Sequence, residues 1–352
     1  MTVVNIAQPG EGRPGNRPPS MEDVAAMAGV SHQTVSRVLN GHPNVRARTR
    51  EQVMEAIRQL GYRRNRAARE LATASSSTIG ILTIGSEFFG PQSTVLGVEA
   101  AARAEGYFVT VTAMEDYDVH SSTKALSHLI DQGVDGVVVV APFNEVTDAL
   151  DAAALKIPVV VVAARTDVPA DDPAHYVYVD QRAGAHQAVN HLLELGHRKI
   201  AHVSGPTGWF DAAERKVGWF EAMAHIDDSP LEMPGGSWMP PGGYEAGKRL
   251  VEHVRSGKVT AVFAANDYLA IGVMRAFWEA GLKVPQDVSV IGFDDLQIAE
   301  YLIPTLSTVR QPFQEIGRTA LAELLEGKPG HNLPKVIVPT LVVRASTAAL
   351  GK

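Results

Sequence analysis

A helical pattern of apolar residues runs through residues 20–61, which read SMEDVAAMAGVSHQTVSRVLNGHPNVRARTREQVMEAIRQLG. Its short polar residues and its glycines are the types that begin and end helices. The predicted boundary residues are Ser20 and Ser31 as amino-terminal caps, a capping box of Thr49 and Gln52, and Gly29, Asn40-Gly41 and Gly61 as ends. Three short helices separated by tight turns predict a small all-α helix-turn-helix bundle.

The flanks of this bundle differ from it in composition. Residues 1–18 are rich in Gly, Pro and Arg without an apolar period, which predicts a disordered tail ahead of a helix-turn-helix domain at 19–64. Residues 65–77 begin with small and basic residues and end in a polar run, so we expect a short conditional structure and a linker there. Because an isolated helix needs about 12–15 residues to be stable, we expect this segment to fold only against a partner.

Strand-like and helix-like segments alternate through residues 78–352. The apolar runs are Ile79–Ile84, Phe108–Thr112, Val137–Ala141, Val159–Ala163, Tyr176–Val179, Ile200–Val203, Ala261–Ala265 and Val288–Phe293. The helical stretches are Thr94–Glu105, His120–Gln132, Arg182–Leu195, Ala213–His225, Gly243–Arg255 and Asp267–Ala280. This alternation predicts an α/β core of two doubly wound parallel-sheet subdomains. We expect one at about 78–179 and 310–337, and the other at about 180–309 and 338–350.

Composition excludes several classes of protein. The 352 residues are 45% apolar and 20% charged and include no cysteine, so disulfides, zinc fingers and cysteine nucleophiles are excluded. No apolar run approaches the ~18 residues of a membrane span, and residues 1–19 lack the apolar region of a secretory signal. We therefore expect a cytoplasmic protein with no membrane partner.

Charge is spread unevenly along the chain. Residues 1–72 hold eleven arginines and six acidic residues, a net charge of +5, whereas the remaining residues carry a net charge of -12. A basic head on an acidic body indicates that only the head meets a polyanion. A solvated helical face would have the same charge, and charge alone leaves both interpretations open.

Several segments together resemble the lactose-repressor (LacI/GalR) family of bacterial transcriptional regulators. Near the amino terminus they are 23–25 (DVA), 28–31 (AGVS), 33–40 (QTVSRVLN), 49–62 (TREQVMEAIRQLGY) and 65–68 (NRAA). In the core they are 195–201 (LGHRKIA), 265–267 (AND), 288–295 (VSVIGFDD) and 304–311 (PTLSTVRQ). The resemblance covers about residues 20–345. It implies a DNA-binding headpiece, a hinge helix and a periplasmic-binding-protein-like core for effector binding and dimerisation, in that order.

The second predicted helix carries the residues expected to contact DNA. They are Ser31, His32, Gln33, Thr34, Arg37 and Asn40. A recognition helix places its first residues on base edges in the major groove, where Gln pairs with adenine and Arg with guanine. The short polar groups suit phosphate contacts. The alternative is that these side chains form only the solvated face of a small bundle.

Leu71 is expected to act in the minor groove. The resemblance implies that the hinge helix folds there and that a leucine at this position wedges between central base pairs. Wedging costs a few kcal/mol of unstacking, which contacts with bent DNA offset. The alternative is an ordinary linker leucine.

The resemblance carries effector binding onto five core residues. They are Arg215, Trp238, Asn266, Asp294 and Gln311. Their planar donors and acceptors suit adjacent hydroxyls, and an aromatic ring packs on the apolar face of a sugar. The alternatives are core packing for Trp238 and a structural ion pair for Arg215 and Asp294.

Two further features concern the same cleft. Ala163 stands where galactoside-binding family members have an Asp that reaches the sugar, so galactoside specificity is not carried over. Phe88 and Phe89 precede Gly90-Pro91 in the first strand-helix loop, and we expect them to line the same cleft.

Three weaker motifs predict no enzyme, metal or cofactor site. Residues 242–248 have the spacing of a phosphate-binding loop, but Arg249 replaces the Ser or Thr that binds magnesium, so we interpret the segment as a helix start. His186, His191, His197 and His202 lie on a helix, a turn and a strand that keep them apart. Asp294 and Asp295 lack an accompanying nucleophile or base.

The sequence therefore predicts a sequence-specific DNA-binding repressor controlled by a mono- or disaccharide bound between the core subdomains. We expect a homodimer on a double-stranded, pseudo-palindromic operator, because no heptad-bearing tail follows residues 341–343. Two alternatives remain open. One is a family member co-repressed by a purine or another metabolite, and the other is a sugar-binding protein without a DNA function.

Overall fold

The structure is a computed structural model, and it divides into two compact units, Met1–Ser76 and Ser77–Lys352. It describes residues 19–62 and 75–351, except 86, 115, 117, 141–142, 144–145, 147–148, 151–155, 165–171, 173, 227–229 and 327–332. The predicted tail at 1–18 and most of the predicted hinge, including Leu71, lie outside the described residues.

The amino-terminal unit is a bundle of three helices, as the sequence predicts. They are α1 (Met21–Ala28), α2 (His32–Leu39) and α3 (Ala47–Leu60). Ser20 and Asp23 form a capping box at α1, and the Ser31 hydroxyl accepts the backbone N–H of Thr34 at 3.2 Å to cap α2. Gly29 ends α1 in the left-handed region, where glycine has no Cβ to clash.

The predicted start of α3 was wrong. The helix begins at Ala47 after Arg46, which makes no side-chain cap, so Thr49 lies inside the first turn. The Thr49 N–H already bonds the Arg46 carbonyl at 3.0 Å and needs no capping box. The predicted end is confirmed, because Gly61 has a φ of 61° and its N–H turns back to Arg58.

The core of this bundle is small and apolar. Val24, Val35 and Val53, one from each helix, are fully buried against one another. Burying a valine contributes about 1.5–3 kcal/mol, so these three side chains account for much of the cohesion of so small a unit. Their burial fixes which face of α2 remains in solvent.

The second unit alternates strands and helices. Its strands are β1 (Thr78–Thr83), β2 (Phe108–Ala113), β3 (Gly136–Val140), β4 (Val159–Val162), β5 (His175–Val179), β6 (Ile200–Ser204), β7 (Glu232–Pro234), β8 (Ala261–Ala264), β9 (Ser289–Ile291), β10 (Thr308–Arg310), β11 (Lys335–Ile337) and β12 (Thr340–Val342). Its helices are α4 (Phe89–Ala104), α5 (Val119–Asp131), α6 (Gln181–Glu194), α7 (Phe210–Met223), α8 (Pro240–Arg255), α9 (Asp267–Glu279) and α10 (Phe313–Glu326), with a 3-10 helix at Gln297–Tyr301.

Two parallel sheets organise this unit, which confirms the predicted fold class. The first has the order β11-β5-β4-β3-β1-β2, and the second has the order β7-β6-β8-β9. A separate antiparallel pair joins β10 to β12. The described chain passes from the first parallel sheet to the second after β5. It returns from the second sheet to the first by way of β10, and after β11 it leaves the first sheet again for β12, which pairs with β10. These passages bring the carboxyl ends of both sheets to one cleft.

All eight predicted apolar runs are strands, and all six predicted helical stretches are helices. The prediction omitted β7, β10, β11, β12 and α10. Each omitted strand has three residues, too few to show a hydrophobic period. The segment at 242–248 lies inside α8, as the helical interpretation predicts.

Helices α4 and α10 approach each other at two glycines. A Cβ built on Gly317 would collide with the backbone of Gly97, and a Cβ on Gly97 would collide with the Phe313 carbonyl. Backbone atoms cannot swing aside as a flexible side chain can. The two helices therefore pack at this distance only because neither position carries a side chain.

We expect Gly317→Ala to destabilise the core by about 1–3 kcal/mol through overpacking. Gly90→Ala is the matched control, because it lies on the same pair of helices and its Cβ would meet no atom within 4 Å. Urea unfolding followed by tryptophan fluorescence measures both, since all four tryptophans lie in the second unit. Equal midpoints for the two variants would contradict the close-packing argument.

Candidate functional site

The exposed face of α2 gathers the predicted DNA-contacting residues. His32, Gln33 and Arg37 are exposed along one side of the helix, and Val35 and Val38 on the other side are buried. The Ser31 and Thr34 hydroxyls lie 2.9 Å apart at the cap, and the Asn40 side chain reaches the Ser36 hydroxyl at 3.4 Å. The exposed side chains of His32, Gln33 and Arg37 therefore lie on a helix that is capped at its start and packed into the bundle through its buried face. Leu71 lies outside the described residues.

The cleft of the second unit is built around a buried cation. The Arg215 side chain, on α7, is 3% exposed and lies with its guanidinium carbon 3.9 Å from the centre of the Phe293 ring. Its Nε donates to Gln181 Oε1 at 2.9 Å, and its Nη1 donates to the Ala265 carbonyl at 2.5 Å. Its Nη2 lies 3.4 Å from the Asp294 carboxylate. The charge is thus fully partnered, as a buried charge must be.

These contacts close into a ring of side chains. Gln181 Nε2 donates to Gln311 Oε1 at 3.0 Å, and Gln311 Nε2 donates to Asp294 Oδ1 at 2.7 Å. Gln181 begins α6 directly after β5, and Gln311 directly follows β10. Two of the four ring members therefore lie where the chain passes between the parallel sheets. We name Arg215, Gln181, Gln311 and Asp294 the polar ring.

Asn266 and Trp238 form the next part of the wall. Asn266 Oδ1 caps α9 by accepting the Leu269 N–H at 2.8 Å, and its Nδ2 donates to the Trp238 carbonyl at 3.1 Å. The Trp238 side chain is 7% exposed, and its indole Nε1 has no hydrogen-bond partner among the described residues. An unpaired buried N–H costs about 1–3 kcal/mol, so this atom is suited to a ligand acceptor.

Aromatic rings line the cleft from both sheets. Trp209, at the start of α7, lies with its ring centre 5.1 Å from that of Phe88, 4.7 Å from Phe143 and 5.5 Å from Trp238. All three pairs are edge-on, the arrangement that aromatic quadrupoles favour. Phe88 and Phe143 follow strands of the first sheet, whereas Trp209 and Trp238 follow strands of the second. The four rings thus join the two halves of the core.

The space between these residues has two lobes that share Gly90, Pro91, Trp209, Asp211 and Gln311. One lobe is lined by Phe88, Phe89 and all five predicted effector residues. The other is lined by Ala163, Gln181 and Tyr178 among others. The cavity volumes are small, about 40 Å³ and about 60 Å³, so the two lobes form a narrow cleft.

Burial shifts the pKa values of the carboxyl groups here. It raises the pKa of Asp294 from 3.8 to about 6, against the opposing effects of Arg215 and Gln311. It also raises the pKa of Asp211, whose carboxylate accepts the Ala164 N–H and lies 3.9 Å from Arg215 Nη2. Because the pKa of Asp294 is higher in the folded than in the unfolded protein, the folded state binds its proton more tightly. The contribution of Asp294 to the free energy of unfolding therefore falls as the pH rises from 3.8 through about 6.

The structure brings the five predicted effector residues together and adds three that sequence reasoning missed. The missed residues are Gln181, Trp209 and Asp211. Each follows the carboxyl end of a predicted strand within a few residues, and that position was the available signal. Gln181 was missed because a polar residue at a helix start is usually read as a cap.

The four histidines do not meet, as the sequence predicts. His186 pairs with Glu221, His191 with Thr347, His197 with Thr260 and the Ala348 carbonyl, and His202 with the Phe263 carbonyl. Among the described residues no group of three His, Asp or Glu side chains is placed to hold a metal ion. None of the described helices combines the length and the apolar character needed to cross a membrane.

Two family models match the chain. Residues 20–65 match the lacI family of bacterial regulatory proteins, and residues 189–347 match a periplasmic binding protein-like domain. The Lactose operon repressor of Escherichia coli K12 is 33% identical over 337 residues, covering 95% of this chain and 92% of that protein. The chain belongs to the LacI family. It is a DNA-binding transcriptional regulator of that family.

Other members of the LacI family are similar to this chain in sequence and in structure. The regulator CelR of Thermobifida fusca is 34% identical over 343 residues, covering 94% of this chain and 98% of that protein. A Lac repressor dimer bound to operator and the anti-inducer ONPF superposes with a TM-score of 0.81 at 33% identity, covering 95% and 100% of the two chains. A CelR–cellobiose complex superposes with a TM-score of 0.68 at 31% identity, covering 93% and 99%.

We expect Gln181→Ala to destabilise the core by about 1–3 kcal/mol, because it leaves Arg215 Nε and Gln311 Oε1 buried without partners. Gln187→Ala is the control on the same helix, where the amide makes one bond, to the Pro339 carbonyl at 3.0 Å. Urea unfolding of both variants provides the comparison. If both variants lost the same free energy of unfolding, the polar ring would contribute no more to stability than an ordinary amide contact.

Proposed function

We propose that this protein is a repressor that binds a double-stranded, pseudo-palindromic operator as a homodimer and is controlled by a sugar bound in the core cleft. The unpartnered Trp238 Nε1 carries the sugar part of this proposal. It is a buried donor beside aromatic rings and amide groups, the combination that holds a ring with hydroxyls. Among its relatives, CelR is known in complex with cellobiose.

The headpiece supports base reading by α2. His32, Gln33 and Arg37 project from one face of the helix, while Ser31 and Thr34 lie at its capped start. In this proposal Gln33 and Arg37 contact base edges, and Ser31, Thr34 and Asn40 contact phosphates. His32 takes part in choosing the operator. Leu71 is proposed to wedge into the central minor groove from the hinge.

The homodimer proposal draws on an exposed apolar surface in the second unit. Ile298, Tyr301 and Ile303, in and after the 3-10 helix, are 52%, 79% and 97% exposed. A cluster of large apolar side chains in water marks an interaction surface. A solved relative is a Lac repressor dimer on its operator.

The sugar is proposed to act by binding two arrangements of the core unequally. A ligand shifts such an equilibrium only through differential affinity, with a typical coupling of about 1–3 kcal/mol. The polar ring includes residues at two of the passages between the sheets, so a ligand that contacts it biases the relation of the two halves. We propose induction, in which the sugar lowers DNA affinity. We also propose that the protein works in the cytoplasm and turns over no substrate.

We expect Arg37→Ala to weaken binding to the selected operator by about 1–3 kcal/mol and to relax preference at one base position. Selection of operator sequences from random DNA, repeated with the variant, measures both effects. Arg58→Ala is the control, because that exposed arginine lies on α3 and pairs with Glu55. Uniform weakening across all sequences would mean that Arg37 contacts only phosphate.

We expect Arg215→Ala to bind the operator but to lose its response to the inducing sugar, because Gln181 and Asp294 in the cleft wall lose the partner that positions them. A gel shift with and without sugar measures both properties. Circular dichroism and urea unfolding establish that the core of the variant is folded. A normal sugar response would place the effector elsewhere, and tighter DNA binding of the wild type with ligand would indicate co-repression.

A further inference from the structure

The charged groups that line the cleft are unbalanced. Glu87, Asp211 and Asp294 line the lobe that holds the predicted effector residues, and Arg215 is the one cation among the described residues lining it. Three carboxyl groups and one guanidinium leave the wall with two more acidic groups than basic groups. The segment 165–171 lies outside the described residues, and its sequence carries one arginine and two aspartates.

The single cation is already engaged by groups of the protein. Arg215 donates from Nε to Gln181 and from Nη1 to the Ala265 carbonyl. Its Nη2 faces Asp294 at 3.4 Å and Asp211 at 3.9 Å. Binding of a phosphate or carboxylate by arginine depends on a free fork of N–H groups. Here the fork faces the protein's own carboxylates.

Nearby cations outside the cleft are also paired. Arg182 lies 3.0 Å from Glu214, and Lys216 lies 2.7 Å from Glu232. Neither side chain lines the cleft lobes. The charges of these two nearby cations are therefore already balanced by their own partners.

The remaining donors suit neutral oxygens. Trp238 Nε1 is a single uncharged donor, and the rings of Trp238, Trp209 and Phe88 present apolar surface. The Asp211 side chain lines both lobes and is partly exposed, so it is placed to accept a hydrogen bond from a hydroxyl group. A sugar hydroxyl both donates and accepts, which satisfies the indole and the carboxylate together. An anionic group would satisfy the indole but oppose the carboxylate.

We propose that the cleft selects uncharged sugars and rejects sugar phosphates and sugar acids, with Asp211 as a specificity-determining residue. This inference rests on the proposed sugar effector. In an environment of low dielectric, like charges a few ångströms apart repel strongly, and salt screens them less than it does on a surface. Discrimination by charge is therefore built into the wall and does not require a steric clash.

Matched pairs of sugars that keep the same rings test the proposal on the full-length protein. The pairs are glucose and glucose 6-phosphate, galactose and galacturonate, cellobiose and cellobiose 6′-phosphate, and lactose and lactose 6′-phosphate. Thermal shift finds the binding pairs, and calorimetry measures their dissociation constants. We expect the neutral member of each binding pair to bind at least ten-fold more tightly. A charged member that binds as tightly as its neutral partner, or more tightly, would overturn charge selection and leave the sugar effector standing.

Two variants assign the effect to its residue. In Asp211→Asn, we expect the ratio of the dissociation constants of the charged and the neutral member of a pair to fall at least three-fold. In Glu221→Gln, we expect this ratio to stay unchanged. Glu221 is on the same helix, is 43% exposed and pairs with Arg182 and His186 away from the cleft. Circular dichroism establishes that both variants fold. An unchanged ratio in Asp211→Asn would remove that residue from the proposal, and silence of all four neutral sugars would reject the sugar effector together with it.

Discussion

A guanidinium group buried among protein acceptors is the interaction on which the core depends. Removing a charge from water is costly, and Arg215 is tolerated only because Gln181, Ala265 and Asp294 receive its hydrogen bonds. Those partners come from helix starts and strand ends that are far apart in sequence. Their positions must therefore be fixed together, and the shape of the cleft wall is one result of that requirement.

The parts of the fold that depend on local physics could be predicted from the sequence. Val24, Val35 and Val53 each belong to the apolar period of their own helix. Capping residues mark two of the three helix starts. Seven of the eight predicted strands are buried apolar runs, whereas β2 lies at the edge of the first sheet and is exposed or half-buried. The start of α3 was misplaced because Thr49 has the composition of a cap while its N–H is satisfied within the helix.

The parts that depend on distant contacts could be predicted only in outline. Family resemblance supplied Arg215, Trp238, Asn266, Asp294 and Gln311, and the structure gathers them in one lobe. The sequence contains no signal that Gln181 bonds Gln311, since 130 residues separate them. The three-residue strand β10, which positions Gln311, was also missed because it is too short to show a period.

The aromatic contacts of Trp209 have a consequence for how the two halves of the core can move. Its ring packs edge-on against Phe88 and Phe143, which follow strands of the other half. Any relative movement of the two halves must therefore break or rearrange these contacts. The strength of this aromatic bridge then contributes to the free-energy difference between any two arrangements of the core.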